Sequence, residues 1–319
     1  MLYTDSIWQN DILGDGFEMR QETLPNNENS KKFTIIKKCC KNKSKYSILY
    51  IHGYNDYFFQ TEMANMFITH GFNFYAIDLI GYGRSITKNE IPFEIKELTE
   101  YYLIIDYVLS IMNNNNITDV ILLGHSTGGL IAASYINDLN PNIVKGLILN
   151  SPFLDWNLNY FLKKIAIPII SIIGKYFPNI SIKQPSTKPY SESLLKEYHG
   201  EWDYNTSWKF IQAPNVSSQW IRAISIAQKR LRKKSRITIP ILLMHSDNSV
   251  YGNHWNEYFN RGDAILNVDD INKYGRKLGE NITIEVFNNA LHDLVLSSKE
   301  IRNNVYDAIL NWIKDKITS

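Results

Sequence analysis

Apolar and polar positions follow two different rhythms along the chain. Residues 17–24 and 32–39 alternate in the manner of half-buried strands and read as an opening antiparallel pair joined by the polar turn 25–30. From residue 47 onward the rhythm changes. Short, continuously apolar runs at 47–51, 72–78, 120–124, 144–150, 238–245 and 282–287 alternate with longer segments of helical spacing. Runs of that kind suit strands buried on both faces, so the pattern predicts an α/β class chain with a mainly parallel central sheet and helices on both sides. Leu98, Tyr101, Tyr102, Ile105, Val108, Leu109 and Met112 recur at three- and four-residue steps. This is the core-facing stripe of one such helix and carries no chemistry of its own.

One connection breaks the alternation. Between the sixth strand, ending at Asn150, and the run that begins at Thr238 lie more than eighty residues of helical character, with Pro152, Pro168, Pro178, Pro185, Pro189 and Pro214 among them. That is too long for a plain crossover and too regular for a linker. It predicts a helical cap inserted after strand six, dividing the chain into a first core segment (residues 1–152), a cap (153–236) and a second core segment (237–319).

Composition narrows the class. A chain of 319 residues with 44% hydrophobic and 21% charged residues can bury a large core, and a net charge of +2 gives no general reason to expect nucleic acid. The basic run 228–236 is read as a solvated helix end, with an anionic lipid or acidic partner as the other reading. No signal peptide is visible in residues 1–20, and the apolar run 165–173 is far shorter than a bilayer span, so the expectation is a cytoplasmic chain without a transmembrane segment. Transient contact with a membrane surface stays open, as does the choice between monomer and homodimer. Cys39 and Cys40 are adjacent and read as reduced cysteines.

The candidate chemistry centres on residues 120–130, Val-Ile-Leu-Leu-Gly-His-Ser-Thr-Gly-Gly-Leu, where Ser126 stands between Gly124 and Gly128 at the point where a strand should turn into a helix. A serine forced through so sharp a turn needs glycine two positions to either side, because a Cβ there would strike the neighbouring backbone. The following helix, expected from about Thr127 to Leu139, would aim its free N–H groups at the site and favour a developing oxyanion.

Four pieces in order now resemble the α/β-hydrolase superfamily: Ile51-His-Gly-Tyr54, Asp78-Leu-Ile-Gly-Tyr-Gly-Arg-Ser85, the elbow at Ser126, and Ala290-Leu-His292-Asp293. Within it the chain is similar to the capped serine hydrolases grouped with lysophospholipases, monoacylglycerol lipases and proline iminopeptidases. The resemblance implies backbone oxyanion donors at Tyr54 and Thr127, and a base at His292, which follows the last strand and precedes the C-terminal helix in the order Ser, acid, His. The acid departs from the family pattern, since Ser249 falls where the aspartate belongs. Residues 261–271 restore the pattern, as though 250–262 were an inserted loop, and this points to Asp263; Asp247 is the rival and Asp155 a third choice.

The function so implied is ester cleavage through an acyl-enzyme, with no metal or organic cofactor. The aromatic residues of the cap suit a lipid-like substrate such as a lysophospholipid or monoacylglycerol. Two alternatives compete. An aminopeptidase would need a cap carboxylate, Glu192, Glu197, Glu201 or Asp203, to hold a substrate amine, and a non-catalytic binding protein would need no triad.

Overall fold

The apolar runs become strands whose successive residues enter opposite faces of one sheet. The computed structural model describes residues 7–24, 31–88 and 91–318, so the turn expected over 25–30 lies outside the described residues. Among the described residues seven strands precede the long connection: β1 (Gln9–Asn10), β2 (Glu18–Thr23), β3 (Lys32–Lys38), β4 (Tyr46–Ile51), β5 (Asn73–Asp78), β6 (Asp119–His125) and β7 (Val144–Asn150). The short strands β8 (Ser181–Ile182) and β9 (Val216–Ser217) pair within it, and β10 (Ile241–Ser246) and β11 (Ile282–Phe287) follow. The nine strands of the main sheet run in the order β1-β2-β3-β5-β4-β6-β7-β10-β11. Pairing is antiparallel from β1 through the β3–β5 ladder and parallel from β5 onward.

Alternation along the central strands explains why they read as uniformly apolar. Leu49, Ile51, Leu122, Leu147, Leu149 and Leu243 join one buried cluster, whereas their neighbours Ile48, Tyr50, Ile121, Leu123, Ile148 and Leu242 join the other. Both faces are therefore core. Helices α1 (Thr61–Thr69) and α8 (Lys299–Lys316) bury residues in the second cluster, and α2 (Glu100–Asn114) and α3 (Thr127–Asp138) in the first. The strand expected over 238–245 starts only at Ile241. Pro240 has no N–H to give to a ladder, although its carbonyl still accepts from Leu147 N at 3.0 Å.

The long connection holds a π-helical turn (Leu162–Ala166), α4 (Ile167–Tyr176), α5 (Lys188–Leu194) and α6 (Ser218–Lys233). Ser217 caps α6 by accepting from Trp220 N at 2.9 Å, and Arg230, Arg232 and Lys233 in its last turn complement the helix dipole. Helix α4 lies close against α6, where a Cβ on Gly174 would come within 2.2 Å of the Ser218 carbonyl. Ala223, Ile224, Ala227 and Leu231 of α6 belong to the same buried cluster as α3, so the connection shares the core of the sheet at its base. Helix α7 (Val268–Gly275) lies between β10 and β11 in the chain.

Candidate active site

Parallel strands that end together deliver their following loops to one edge, and the candidate residues collect there. At the end of β6 the chain turns so sharply that Ser126 takes φ 52° and ψ −115° before α3 begins. The flanking glycines are required by contact. A Cβ on Gly128 would stand 2.1 Å from the Ile51 carbonyl oxygen, and one on Gly124 would stand 2.5 Å from that of Gly128. The strained conformation is held from outside, since Ser126 N donates to the Asn150 carbonyl at 3.0 Å and Phe153 N donates to the Ser126 carbonyl at 2.9 Å.

His292 reaches Ser126 from the loop after β11. Its Nε2 lies 3.0 Å from Ser126 Oγ and its Nδ1 lies 2.8 Å from Asp263 Oδ2. The other Asp263 oxygen accepts from the N–H groups of Ile265 and Leu266 at 2.8 and 2.7 Å, which fixes the carboxylate beside the ring. All three side chains are buried. The rival acids are engaged elsewhere: Asp247 accepts from Asn289 N at 2.9 Å, and Asp155 pairs with Lys163 and Arg232. Of the three candidates the structure brings Asp263 to His292.

Tyr54 and Thr127 flank the serine from two strands. Gly53 backs directly onto the elbow, for a Cβ there would lie 3.1 Å from Ser126 Cβ. Among the described residues no protein acceptor takes the N–H of Tyr54 or of Thr127, the first N–H of α3, so both donors are uncommitted. The Tyr54 ring is packed against Phe93 and Trp220, at 5.1 and 4.8 Å between centroids, and burial pushes its phenol well above the usual range. The loop that carries its N–H is thereby tied to α6.

A layer of buried polar groups beneath His292 was not foreseen. Asp293 Oδ1 accepts from Asn150 Nδ2 at 2.7 Å, its Oδ2 accepts from Gln60 Nε2 at 3.2 Å, and its own N–H donates to Tyr190 Oη at 3.2 Å. Asn150 also accepts from Leu294 N at 3.2 Å, so this one side chain, at the end of β7, joins the histidine loop to the strand that holds the elbow. Its only sequence signal is a lone amide closing an apolar strand. His125, 4.9 Å from His292 between ring centroids, has its pKa lowered chiefly by burial, with Asp293 opposing that effect. It is therefore mainly neutral at pH 7 and places no cation beside His292. Asp56, His125 and Asp293 bring ligand atoms within 4.8 Å of one another, but the Lys209 ammonium already sits 2.9 Å from Asp56 and supplies the positive charge. Asp78 has a structural role in the turn after β5, accepting from Phe58 N and Arg84 N at 2.9 and 3.0 Å.

Above Ser126 opens a cavity of about 390 Å³ walled by Leu158, Leu162, Ile167, Ile170, Val216 and Trp220. Its charged lining consists of Lys183 and Lys209, and among the described residues no carboxylate lines it. The four cap carboxylates considered above lie elsewhere, with Glu192 beside Lys188 and Glu201 beside Arg302.

Strand order, elbow and the position of the histidine define an α/β-hydrolase. The chain belongs to the family described as Serine aminopeptidase, S33, whose model matches residues 42–299. It is 24% identical over 257 residues to the "Monoglyceride lipase homolog" of Monkeypox virus, covering 80% of this chain and 84% of that one. It is 24% identical over 266 residues to the "Probable lysophospholipase L2" of Haemophilus influenzae, covering 79% and 78%. A solved structure of a soluble variant of monoglyceride lipase from Saccharomyces cerevisiae, in complex with a substrate analog, has the same fold, with a TM-score of 0.70 at 17% identity over 93% of this chain and 95% of that chain.

Proposed function

We propose that this chain is a serine hydrolase of lipid-like carboxylic esters, with Ser126 as nucleophile, His292 as general base and acid, Asp263 as the group that orients the imidazole, and the N–H groups of Tyr54 and Thr127 as oxyanion donors. The observation that carries the reading is the continuous line from Ser126 Oγ through His292 to Asp263, set in the floor of an apolar cavity. Ser126 Oγ attacks the ester carbonyl while Nε2 of His292 takes its proton; Asp263 holds the proton on Nδ1 and stabilises the imidazolium. The carbonyl oxygen, now negative, lies against the two N–H donors. Collapse expels the alcohol, protonated by His292. Water, activated by the same imidazole, then releases the acid and restores Ser126.

The relatives' names support a lysophospholipid or a monoacylglycerol as the ester. The cap reading, residues 153–236 between core segments 1–152 and 237–319, belongs to the proposal, because residues of that segment wall the cavity. A cytoplasmic setting is also part of it, in keeping with the free cysteines Cys39 and Cys40. Among the described residues no helix is long and apolar enough to cross a membrane.

The family description favours a second reading, an aminopeptidase. A substrate ammonium would then enter a cavity whose charged lining is Lys183, together with Lys209 already paired to Asp56, and among the described residues no carboxylate lines it to receive the amine. Like charges there disfavour the amine, and the ester reading is preferred. A fluorophosphonate probe, followed by a panel of acyl esters and amino-acid amides, separates the possibilities. Labelling that disappears in Ser126→Ala, together with turnover of esters and not amides, is expected. Absence of labelling in the folded wild type would sink the serine mechanism, and preference for amides with a free amine would replace the esterase by the peptidase.

A further inference from the structure

A second, larger cleft lies behind the wall of the first. It has a volume of about 980 Å³ and shares Trp156, Leu158 and Ile167 with the cavity above Ser126, so these side chains form part of the partition. Its charge is uneven. Among the described residues six cationic residues line it against two carboxylates, Asp155 and Asp270. Those two are taken up by Lys163, which pairs with both, and by Arg232, which pairs with Asp155. Lys164, Arg222, Lys229 and Lys273 remain, and among the described residues none of them has a carboxylate partner. They come from three elements that are far apart in sequence, the π-helical turn, α6 and α7, and converge on one opening. Exposed Tyr160, Ile172 and Ile226 line the same cleft. The basic run noted in the sequence is divided by the fold, since Arg230 turns away to Asp138 and only Lys229 and Arg232 of that run line the cleft.

From this we infer that the cleft is a binding site for the phosphate head groups of anionic phospholipids, through which the molecule seats itself on a negatively charged bilayer surface. Charge complementarity selects the occupant. Four unneutralised cations around an open cleft attract a surface of many phosphates, and each contributes about fivefold to partitioning onto an anionic bilayer. The apolar side chains at the rim match the acyl boundary just beneath the head groups. A free phosphate ion shares the oxygen chemistry but would leave most of the cleft and all of its apolar rim unused. The inference does not depend on which ester is cleaved, because none of these cations lines the cavity above Ser126.

The test is co-sedimentation of the full chain with vesicles of phosphatidylcholine alone and of phosphatidylcholine with about one-third phosphatidylglycerol, each at low salt and at about 0.5 M salt. Binding is expected only to the anionic vesicles at low salt. Lys164, Lys229 and Lys273 are exposed, so the triple variant Lys164→Ala/Lys229→Ala/Lys273→Ala should fold. It should lose about 100-fold in partitioning while keeping its turnover of a short soluble ester. Lys41→Ala/Lys43→Ala/Lys45→Ala removes the same charge from a basic patch elsewhere and should bind as wild type. Equal loss in that control, or equal binding to both kinds of vesicle, would overturn the inference. So would a thermal shift with millimolar glycerol phosphate that is abolished in the cleft variant while vesicle binding is unaffected, since the site would then take a free phosphate and not a surface.

Discussion

Asp263 is clamped to Asn248 by backbone: its N–H donates to the Asn248 carbonyl at 2.9 Å, and Val250 N returns a bond to the Asp263 carbonyl at 2.8 Å. The intervening residues form a loop pinched shut at its base, so Asp263 occupies the place that a residue just after β10 would hold. A carboxylate displaced along the sequence is thus restored in space. Asp263→Asn should lower ester turnover on the order of 10³-fold or more by favouring the wrong histidine tautomer, whereas Asp247→Asn should cost about tenfold or less. Steady-state kinetics of the two purified variants decide the matter, and a reversal of the two magnitudes would return the role to Asp247.

The elbow permits a separation of chemistry from folding. Ser126→Ala keeps the backbone demand unchanged and should leave stability within about 1 kcal/mol while lowering turnover about 10⁴-fold or more. Gly128→Ala puts a Cβ 2.1 Å from one carbonyl oxygen and 2.4 Å from the next, those of Ile51 and His52, with only backbone to give way. It should destabilise by about 3 kcal/mol or more, at the upper end of the cost of overpacking a core. Denaturant unfolding of both variants checks this, and a Gly128→Ala protein as stable as wild type would contradict the close approach.

These residues mark what could be read in the sequence. Gly124, Ser126 and Gly128 announce themselves because a local turn imposes local residue types, and the central strands do so because each is buried on both sides. Asp263 was legible as a displaced pattern. Asn150, Gln60, Tyr190 and Asp293 were not, for their association depends on contacts between strands and loops far apart in the chain, and each alone is an ordinary residue type. The same holds for the four cations of the second cleft, whose lack of partners exists only once the fold has assigned the carboxylates. Strand β1 leaves no mark in the pattern, because two exposed polar residues carry no periodicity.

Buried neutral histidines set a pH dependence of stability. His52 accepts from Leu79 N at 3.1 Å through Nε2, which requires the neutral ring with its proton on Nδ1 toward the Gly53 carbonyl at 2.7 Å. Burial lowers the pKa of His52, of His125 and of His245. In the unfolded chain each titrates near ~6.5, so below that pH the unfolded state binds more protons than the native one and stability falls as pH falls. Each contributes a slope of up to about 1.4 kcal/mol per pH unit between its lowered native pKa and ~6.5, and little above that value. The urea midpoint should therefore be level between pH 7.5 and 8.5 and drop clearly between pH 6.5 and 5.5. A midpoint that is flat, or that rises, across the lower window would show that these rings are protonated in the native state.

Acyl preference follows from the wall of the cavity above Ser126. Leu158, Leu162, Ile167, Ile170 and Val216 offer an apolar surface to whatever extends from the acylated serine. Each methylene buried there contributes up to ~0.8 kcal/mol, so kcat/KM should rise by a factor of up to about four per carbon until the space is filled. Medium or long acyl chains should then exceed acetate. Ile170→Trp would fill part of the wall space, moving the optimum to shorter chains while leaving acetyl ester turnover within about threefold of wild type, because Ile170 takes no part in the hydrogen bonds that join Ser126, His292 and Asp263. The measurement is a chain-length series of soluble esters, kept below their micellar concentrations, on both proteins. A profile that declines steadily from acetyl in the wild type would refute an acyl-binding cavity. An optimum unmoved by Ile170→Trp would place the acyl chain elsewhere in the cavity and hand the wall of Ile170 to the alcohol.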